Sequence, residues 1–284
     1  MQIAQILSNG VTSGLVYVLM ALGFTLIFGI MRVVNFAHGE LYMLGGFVVF
    51  VLFGTFGWNY YLTVVVAAVA VGLFGAALER LLLRPFIGRE LNGMIMALAI
   101  AITLRAAAAI VFGPDEQSVP RPVSGVLNLG VAVVPYDRLV VGGLTLLILA
   151  AFWAFLQLTR WGLAMRAVAQ DAEIAALQGV RPNLIHPLAF GIGGLLAGSA
   201  GALMAPIYTI FPYMGELPML KAFVVVILGG LGSIPGAVLG GMLLGLVESF
   251  VATMYNTTAA TMVGFGLVIL ILIVRPRGLM GRGA

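Results

Sequence analysis

The chain has 284 residues, of which 62% are apolar and only 8% are charged. Soluble globular domains carry roughly 25% charged residues, so a soluble domain of this composition could not cover its surface with polar groups. The apolar content also excludes a disordered chain. The absence of cysteine excludes disulfides, thiolate metal sites and a cysteine nucleophile. The net charge of +4 does not indicate nucleic-acid binding, because the arginines lie mostly at the ends of apolar runs.

A series of apolar runs follows along the chain. They cover residues 6–31, 41–57, 61–82, 93–112, 139–158, 184–207, 218–231, 236–255 and 258–274. Most approach the roughly 20 residues of a transmembrane helix and lack the alternating polar positions of a barrel strand. The sequence therefore predicts an all-α, polytopic membrane helix bundle of eight to nine transmembrane helices, in one domain over residues 1–284. The count falls to eight if residues 32–57 or 218–237 enter the membrane and return on the same side.

Three polar segments hold most of the arginines. They are residues 79–90 with Arg80, Arg84 and Arg89, residues 159–183 with Arg160, Arg166 and Arg181, and the tail with Arg275, Arg277 and Arg282. Because Lys and Arg concentrate in cytoplasmic loops, we expect these segments to face the cytoplasm and the loop 113–138 to face outward. Nine crossings then place the N-terminus outside and the C-terminus inside.

Two short segments interrupt the predicted helices. Residues 229–236 read Gly-Gly-Leu-Gly-Ser-Ile-Pro-Gly, and Pro235 disfavours helical geometry at the residue before it. Residues 35–40 read Asn-Phe-Ala-His-Gly-Glu, in which Asn35 and His38 are suited to hydrogen bond freed backbone groups. A metal site at His38 and Glu40 would lack a third ligand.

Irregular backbone at membrane depth must be buried in protein or line a cavity, and substrates bind at such breaks in many transporters. The candidate substrate-pathway residues are therefore Asn35, His38, Glu40, Gly232, Ser233 and Gly236. A small zwitterion could place its carboxylate at the start of a broken helix in either segment.

Two charged residues lie well inside predicted spans. Arg105 is the thirteenth residue of the run 93–112, and Glu248 is the thirteenth of the run 236–255. Both runs cross in the same direction, so the two charges should lie at similar depth, where an unpaired ion is costly. We predict that Arg105 and Glu248 pair with each other. An arginine that snorkels to the interface, or a direct role in the substrate path, are the alternatives.

Small residues recur at four-residue intervals late in the chain. The series are Gly193, Ala197 and Gly201; Gly232, Gly236 and Gly240; and Gly241 and Gly245. This spacing lets two helix backbones approach closely, so we expect tight packing within the chain, with a subunit interface as the alternative. The tripeptide Gly-Glu-Leu occurs at 39–41 and again at 215–217, which is too short on its own to establish an internal repeat.

Residues that support catalysis are scarce. The only lysine, Lys221, is not part of a Gly-x-x-x-x-Gly-Lys sequence, so this chain has no P-loop for ATP. Ser233 is not set in a Gly-x-Ser-x-Gly elbow, and the chain has only two histidines. We expect neither enzymatic activity nor a metal or cofactor in this chain.

The segment 159–183 contains a candidate docking helix. Residues 171–178 have a helix-forming composition, and Gly179 suits the position after a helix end. From composition alone, this helix either docks another protein or is a solvated connector. Glu173, Ala175, Ala176 and Gly179 resemble the EAA loop of ABC importer permeases, although Ile174 is inserted between the glutamate and the alanine pair.

The resemblance extends over nearly the whole chain. The matching pieces are residues 14–29, Asn-Phe-Ala-His-Gly-Glu at 35–40, residues 162–179, Lys-Ala-Phe at 221–223, Gly-Gly-x-Gly-Ser-Ile-Pro-Gly at 229–236 and Arg-Pro-Arg-Gly-Leu at 275–279. Together they resemble the permeases of branched-chain amino-acid ABC importers. Arg105 does not belong to that pattern.

The resemblance implies a subunit that imports branched-chain or related amino acids across the bacterial inner membrane. It implies partners: a second homologous permease or a second copy, two ABC ATPases that bind ATP and Mg, and a periplasmic substrate-binding protein. The expected ATPase-coupling residues are Gly162, Arg166, Asp171, Glu173, Ala175, Ala176 and Gly179. We expect Asp171 and Glu173 to meet basic groups on the ATPase, and Gly162 and Gly179 to let the loop turn at both ends.

Other functions stay open from the sequence. Related permeases carry urea or other amides, and a stand-alone amino-acid carrier driven by an ion gradient is a second possibility. Such a carrier would need a coupling site, for which Arg105 and Glu248 are the only candidates. A membrane scaffold without transport activity would leave the broken helices unexplained.

Overall fold

Long apolar helices make up most of the residues that the structure describes, which are 2–128, 133–276 and 278–280 of a computed structural model. Within these residues, eight helical segments are long and apolar enough to cross a membrane. They are Ile3–Met31, His38–Thr55, Tyr60–Phe86, Glu90–Phe112, Tyr136–Leu158, Pro182–Met204, Ile234–Met254 and Thr257–Val274. The predicted polytopic helix bundle is confirmed.

The described residues form eleven α-helices and one small β-hairpin, numbered in chain order. The helices are α1 (Gln2–Met31), α2 (His38–Val49), α3 (Tyr60–Leu78), α4 (Glu90–Phe112), α5 (Tyr136–Leu158), α6 (Arg160–Gln170), α7 (Ala172–Leu177), α8 (Pro182–Met204), α9 (Glu216–Gly229), α10 (Ile234–Met254) and α11 (Thr257–Val274). Wider π-helical turns extend α2 through Phe50–Thr55 and α3 through Glu79–Leu83. Strands β1 (Val126–Asn128) and β2 (Val133–Pro135) pair antiparallel.

The arginine-rich segments lie together at one end of the bundle, which we name the basic end. Met31 at the end of α1 lines a small cavity with Leu83 and Phe86 from the segment 79–90. The tail reaches the same end, since the Leu279 backbone N–H donates to the Leu228 carbonyl at 2.8 Å. Helices α6 and α7 lead directly into α8, whose Phe190 lines the same cavity. Arg277 and Arg282 lie outside the described residues.

The described parts of the long loop, residues 113–128 and 133–135, lie at the opposite end, which we name the loop end. Gln117 in this loop exchanges two backbone hydrogen bonds of 2.8 Å with Ile210, which follows α8. Val119 packs near Gly54, where the extension of α2 finishes. Positive charge is therefore concentrated at one end of the bundle, as the loop assignment from the arginine pattern requires.

Two of the passages between these ends are broken. Helix α9 has 14 residues, about 21 Å at 1.5 Å per residue, which is less than the roughly 30 Å of a bilayer core. Residues 205–215 descend from the loop end in turns, and α9 then continues to the basic end. Residues 32–37 lead from the basic end into the bundle without a helix before α2 starts. Both segments cross the bundle rather than returning, so the described chain makes nine passages with eight long helices.

The packing of the two halves of the bundle is reciprocal, because α1 contacts α9 and α10 while α8 contacts α2 and α3. Helix α1 packs on α10 through Gly14 and Gly241, while α8 packs reciprocally on α3 through Gly191 and Gly72. The two first helices, α1 and α8, meet each other at Gly23 and Gly193. Helices α2 and α9 start side by side and run to opposite ends. The repeated Gly-Glu-Leu thus lies at the starts of two helices that touch each other.

Small residues mediate this packing, as predicted for contacts within the chain. A Cβ on Gly241 would lie 2.6 Å from a methyl group of Val18, and one on Gly193 would lie 2.5 Å from Ile27. Gly201 packs on the Tyr42 carbonyl so closely that a side chain there has no room. Gly232 is the exception, because it has open space around it and a φ of +80°.

Candidate functional site

Helix α2 begins deep inside the bundle, and Asn35 and His38 hold its start. The Asn35 side-chain oxygen accepts the Ala37 backbone N–H at 3.1 Å, and His38 Nε2 donates to the Met20 carbonyl at 3.1 Å. Met20 is eleven residues before the end of α1 at Met31, about 16 Å along that helix. The predicted hydrogen bond to freed backbone is confirmed for Asn35, whereas His38 bonds a carbonyl inside the continuous helix α1. Both side chains are buried, so they stabilise the break.

The start of α9 lies against the start of α2. A Cβ on Gly39 would lie 2.5 Å from the Gly215 carbonyl oxygen, and one on Gly215 would clash with the Gly39 carbonyl even more closely. Glycine is required at both positions because only a bare backbone allows this approach. The contact brings the two Gly-Glu-Leu segments together at the centre of the bundle.

Arg105 joins the two glutamates of these segments. Its Nη2 lies 2.7 Å from Glu40 Oε1, and its Nη1 lies 2.5 Å from Glu216 Oε1. The ring of Tyr213 lies over the guanidinium, 5.2 Å from Cζ to the ring centre. We name Arg105, Glu40, Glu216 and Tyr213 the central charge cluster. The predicted pair of Arg105 with Glu248 is wrong, because the broken helices bring closer carboxylates to Arg105.

Glu248 pairs with Lys221 instead. Lys221 Nζ lies 2.8 Å from Glu248 Oε2 and 2.7 Å from the Tyr17 hydroxyl, which itself donates to Glu248 Oε2 at 2.7 Å. This second cluster holds one positive and one negative charge, and each group has a hydrogen-bond partner. The expectation that each intramembrane charge needs a partner holds, but both partners differ from those predicted.

Gly232, Ser233 and Gly236 lie away from the central charge cluster. The Ser233 hydroxyl caps α10 by accepting the Gly236 backbone N–H at 3.2 Å. Gly236 packs directly on the Gly229 carbonyl, where α9 gives way to α10 at the basic end. The predicted break at 229–236 is confirmed. The structure does not bring these residues together with Asn35, His38 and Glu40, however, because the two segments lie at different depths.

The segment 159–183 forms two helices that meet at Asp171. The Asp171 carboxylate accepts the backbone N–H groups of Glu173 and Ile174, both at 2.9 Å, and so caps the start of α7. Gly179 follows the end of α7 with a φ of +86°, which glycine adopts without strain. The short predicted helix and its stop are confirmed. Asp171 is engaged in capping, so Glu173 is the freer of the two acidic groups.

Other residues of this segment determine how α6 packs on the end of α5, and we call this junction the corner. A Cβ on Gly162 would lie 2.5 Å from the Phe155 carbonyl, so Gly162 serves close packing inside α6 and is not a turn, contrary to the prediction. Arg166 Nη1 donates to Gln157 Oε1 at 2.7 Å across the corner. Ala175 is buried while Ala176 is exposed. The corner is therefore rigidly tied to the membrane helices.

Several residues of the two charge clusters were not among the predicted site residues. They are Glu216, Tyr213, Lys221 and Tyr17. The repeated Gly-Glu-Leu pointed to Glu216, and Lys221 was conspicuous as the only lysine. Over the residues that the structure describes, no three metal-ligating side chains converge.

Comparisons with known proteins identify the family. The sequence profile described as "Branched-chain amino acid transport system / permease component" matches residues 6–274. This chain belongs to that family of membrane permeases.

Similar proteins cover nearly the full length of the chain. BraD of Pseudomonas aeruginosa, a high-affinity branched-chain amino acid transport system permease protein, is 36% identical over 98% of this chain and 95% of its own length. LivH of Escherichia coli, which carries the same description, is 34% identical over 96% of this chain and 94% of its own. LivM of Salmonella typhimurium, another permease protein of such a system, is 27% identical over 95% of this chain and 68% of its own. No solved structure matches this chain.

Proposed function

We propose that this chain is the membrane-spanning permease subunit of an ABC importer for branched-chain or related amino acids. The observation that carries the proposal is the match of residues 6–274 to the branched-chain permease family. The descriptions of BraD and LivH supply the substrate class. In this proposal the chain is not an enzyme. ATP and Mg²⁺ bind to two partner ATPases, whose hydrolysis drives import across the bacterial inner membrane.

Helix α7 is the proposed contact with the ATPase. Ile174 and Leu177 are three residues apart, so they share one face of the helix, and they are 58% and 85% exposed. An exposed apolar pair of this kind suits insertion into a groove on another protein. Ala175 on the other side of α7 is buried, as are Met165 and Val168 of α6. A displacement of α7 would therefore pass to α5 and α8 without being absorbed by a flexible link.

The orientation follows from the two ends of the bundle. The basic end, with α7, faces the cytoplasm, so the C-terminus lies inside and the N-terminus outside. The loop end then receives a periplasmic substrate-binding protein. A second permease, of the kind that LivM represents among the similar proteins, completes the membrane unit. Movement of the two permeases against each other exchanges outward and inward access.

The assembly is tested by a pull-down from the native membrane. The chain is tagged, extracted gently and analysed by mass spectrometry, and we expect an ATPase and a second permease of similar size. The purified complex is then reconstituted in proteoliposomes with the binding protein, and uptake of radiolabelled leucine is measured with and without ATP. Competition by isoleucine, valine, urea and acetamide assigns the substrate class.

A matched pair of variants tests the coupling helix. Leu177→Arg places a charge on the exposed face of α7, and we expect ATP-driven uptake to fall about tenfold or more because docking needs an apolar contact. Leu81→Arg is the control, since Leu81 is also exposed near the basic end but lies on α3. Uptake that needs an ion gradient and no ATP would contradict the proposal, as would a chain that purifies without an ATPase.

A further inference from the structure

The central charge cluster does not balance its charge. It holds one guanidinium and two carboxylates, because Arg105 pairs with both Glu40 and Glu216. Across the described residues, these two glutamates form ion pairs with no other basic group. Glu40 Oε2 and Arg105 Nε are also buried without a hydrogen-bond partner. The Lys221 cluster is balanced, so of these two clusters the central charge cluster is the one with surplus negative charge.

The cluster lies at membrane depth, where such a surplus is costly. Glu40 is two residues from His38, which is fastened to Met20 in the middle of α1. Glu216 is the residue after Gly215, which touches Gly39. Charged side chains at this depth face the protein interior or a water-filled cavity, and they pair with an opposite charge. The cluster is therefore short of one positive charge, which either a proton or a mobile cation would supply.

The cluster has a closed side and an open side. The Glu40 side chain is 2% exposed, whereas the Glu216 side chain is 50% exposed and that of Arg105 is 25% exposed. Three large side chains close to Glu216 are likewise exposed: Tyr213, which lies over Arg105, and Leu217 and Leu220 on the same helix. The preceding residues 205–215 are not helical. Neither irregular backbone nor a half-exposed carboxylate tolerates lipid, so this open side faces water or the second permease.

We propose that the open side of the central charge cluster binds the ammonium group of the transported amino acid, with Glu216 as its carboxylate partner. The inference rests on the proposed function. The ammonium supplies the positive charge that the two glutamates lack. Arg105 holds Glu216 in place from the other side, and Tyr213 fixes the guanidinium. The exposed Leu217 and Leu220 offer an apolar surface to an aliphatic side chain.

The site differs in chemistry from a helix start that binds a carboxylate. The first turn of α9 already carries Glu216, which occupies the position where an anion would interact favourably with the helix dipole. A substrate anion would meet like charge there. The site therefore selects for a protonated amine, and it should accept a ligand that keeps the ammonium and loses the carboxylate.

The first test measures uptake by the complete importer in proteoliposomes. Glu216→Gln keeps the size of the side chain and removes its charge, and we expect leucine uptake to fall at least about tenfold, the loss of one charge-assisted hydrogen bond. Glu216→Asp keeps the charge and should recover part of the uptake. Glu90→Gln is the matched control, because it removes an exposed glutamate charge at the start of α4, away from both charge clusters and from α7, and should leave uptake unchanged.

The second test measures binding to the purified complex without its binding protein. Radiolabelled leucine is competed with leucinamide, which keeps the ammonium, and with 4-methylpentanoate, which lacks it. We expect leucinamide alone of the two to compete, and Glu216→Gln to weaken leucine binding at least about tenfold. Equal competition by 4-methylpentanoate would overturn the inference and indicate that a proton on Glu40 balances the cluster.

The outcomes separate the site from the function. Wild-type complex that imports leucine with ATP while Glu216→Gln imports it equally well overturns the inference and leaves the importer assignment in place. Loss of uptake in Glu216→Gln with rescue by Glu216→Asp supports the inference, even where direct binding is too weak to detect. If the wild-type complex imports no leucine, the proposed function is overturned before the site itself is tested.

Discussion

The starts of α2 and α9 carry the same three residues and have opposite surroundings. In both, glycine lets the backbones touch and glutamate reaches Arg105. Helix α4 packs along α2, because its Arg105 pairs with Glu40 at the start of α2 and its Phe112 stacks on Phe47 near the end of α2, with ring centres 4.2 Å apart. Helix α11 also packs on α9, but it lies next to Glu248, where Gly264 approaches that carboxylate, and it leaves the Glu216 side chain 50% exposed. Glu40 is therefore sealed in protein, while Glu216 keeps an open side.

This difference in burial indicates a structural role for Glu40 and a ligand-contacting role for Glu216. A buried carboxylate with one fixed partner ties two elements together, whereas an exposed one at the same depth can exchange partners. The local sequence determines how each helix starts, and the neighbouring helices determine which of the two charges meets a ligand. Variants that act on one helix start and spare the other can test this division.

The largest effect is expected where the two starts touch. Gly39→Ala adds a Cβ 2.5 Å from the Gly215 carbonyl oxygen, and neither backbone can yield without parting α2 from α9. We expect a loss of about 3 kcal/mol or more in stability, at the upper range for overpacking. Thermal unfolding of the detergent-extracted chain and its size-exclusion profile measure this. Gly143→Ala is the control, because Gly143 is helical and has open space around it.

The next largest effect is expected from Arg105. Arg105→Gln leaves Glu40 as an unpaired carboxylate in a buried site, at a cost of about 3 kcal/mol, the lower end of the range for a broken buried pair, because Arg105 itself is 25% exposed. The double variant Arg105→Gln with Glu40→Gln removes both charges of that pair and should recover most of the lost stability. Thermal unfolding of the two variants measures the coupling. A double variant no more stable than Arg105→Gln would show that Glu40 does not depend on Arg105.

Much of the fold was predictable because membrane helices follow simple length and polarity rules. The run 93–112 corresponds to α4, and the break at 229–236 followed from Pro235 and its glycines. The close packing at Gly193 and Gly241 followed from spacing alone. The 14-residue run at 218–231 was predicted as a possible crossing, and the non-helical residues before it complete that crossing.

The charge clusters were less predictable because they depend on which helices are broken. Arg105 and Glu248 occupy matching positions in their runs, but matching depth does not make two helices neighbours. Helix α9 supplies a partner to each of the two charges, since its Glu216 pairs with Arg105 and its Lys221 pairs with Glu248. The sequence pattern predicts that each charge needs a partner, but only the tertiary arrangement shows which residue that partner is.

An intermediate loss of stability is expected when Glu40 or Glu216 is neutralised, and the two variants can be compared directly. Glu40→Gln loses a buried charge-assisted hydrogen bond and should cost about 1–3 kcal/mol of stability. Glu216→Gln affects a half-exposed pair, for which we expect a change within about 1 kcal/mol. Thermal unfolding in matched detergent compares them. Equal destabilisation by both variants would contradict the division between a sealed and an open glutamate, whatever their effects on uptake.

The smallest effect is expected at Tyr213, on the open side. Tyr213→Leu removes the ring that lies 5.2 Å from the Arg105 guanidinium, and loss of a partly exposed cation–π contact costs about 0.5–1 kcal/mol. Tyr208→Leu is the matched control, since Tyr208 is similarly exposed and, among the cation–ring contacts of the described residues, takes part in none. If Tyr213 holds Arg105 toward Glu216, its loss should lower thermal stability slightly more than the control does, and this excess should disappear in the Arg105→Gln background. An excess that persists without Arg105 would assign Tyr213 to packing and leave the open side of the cluster held by the two ion pairs alone.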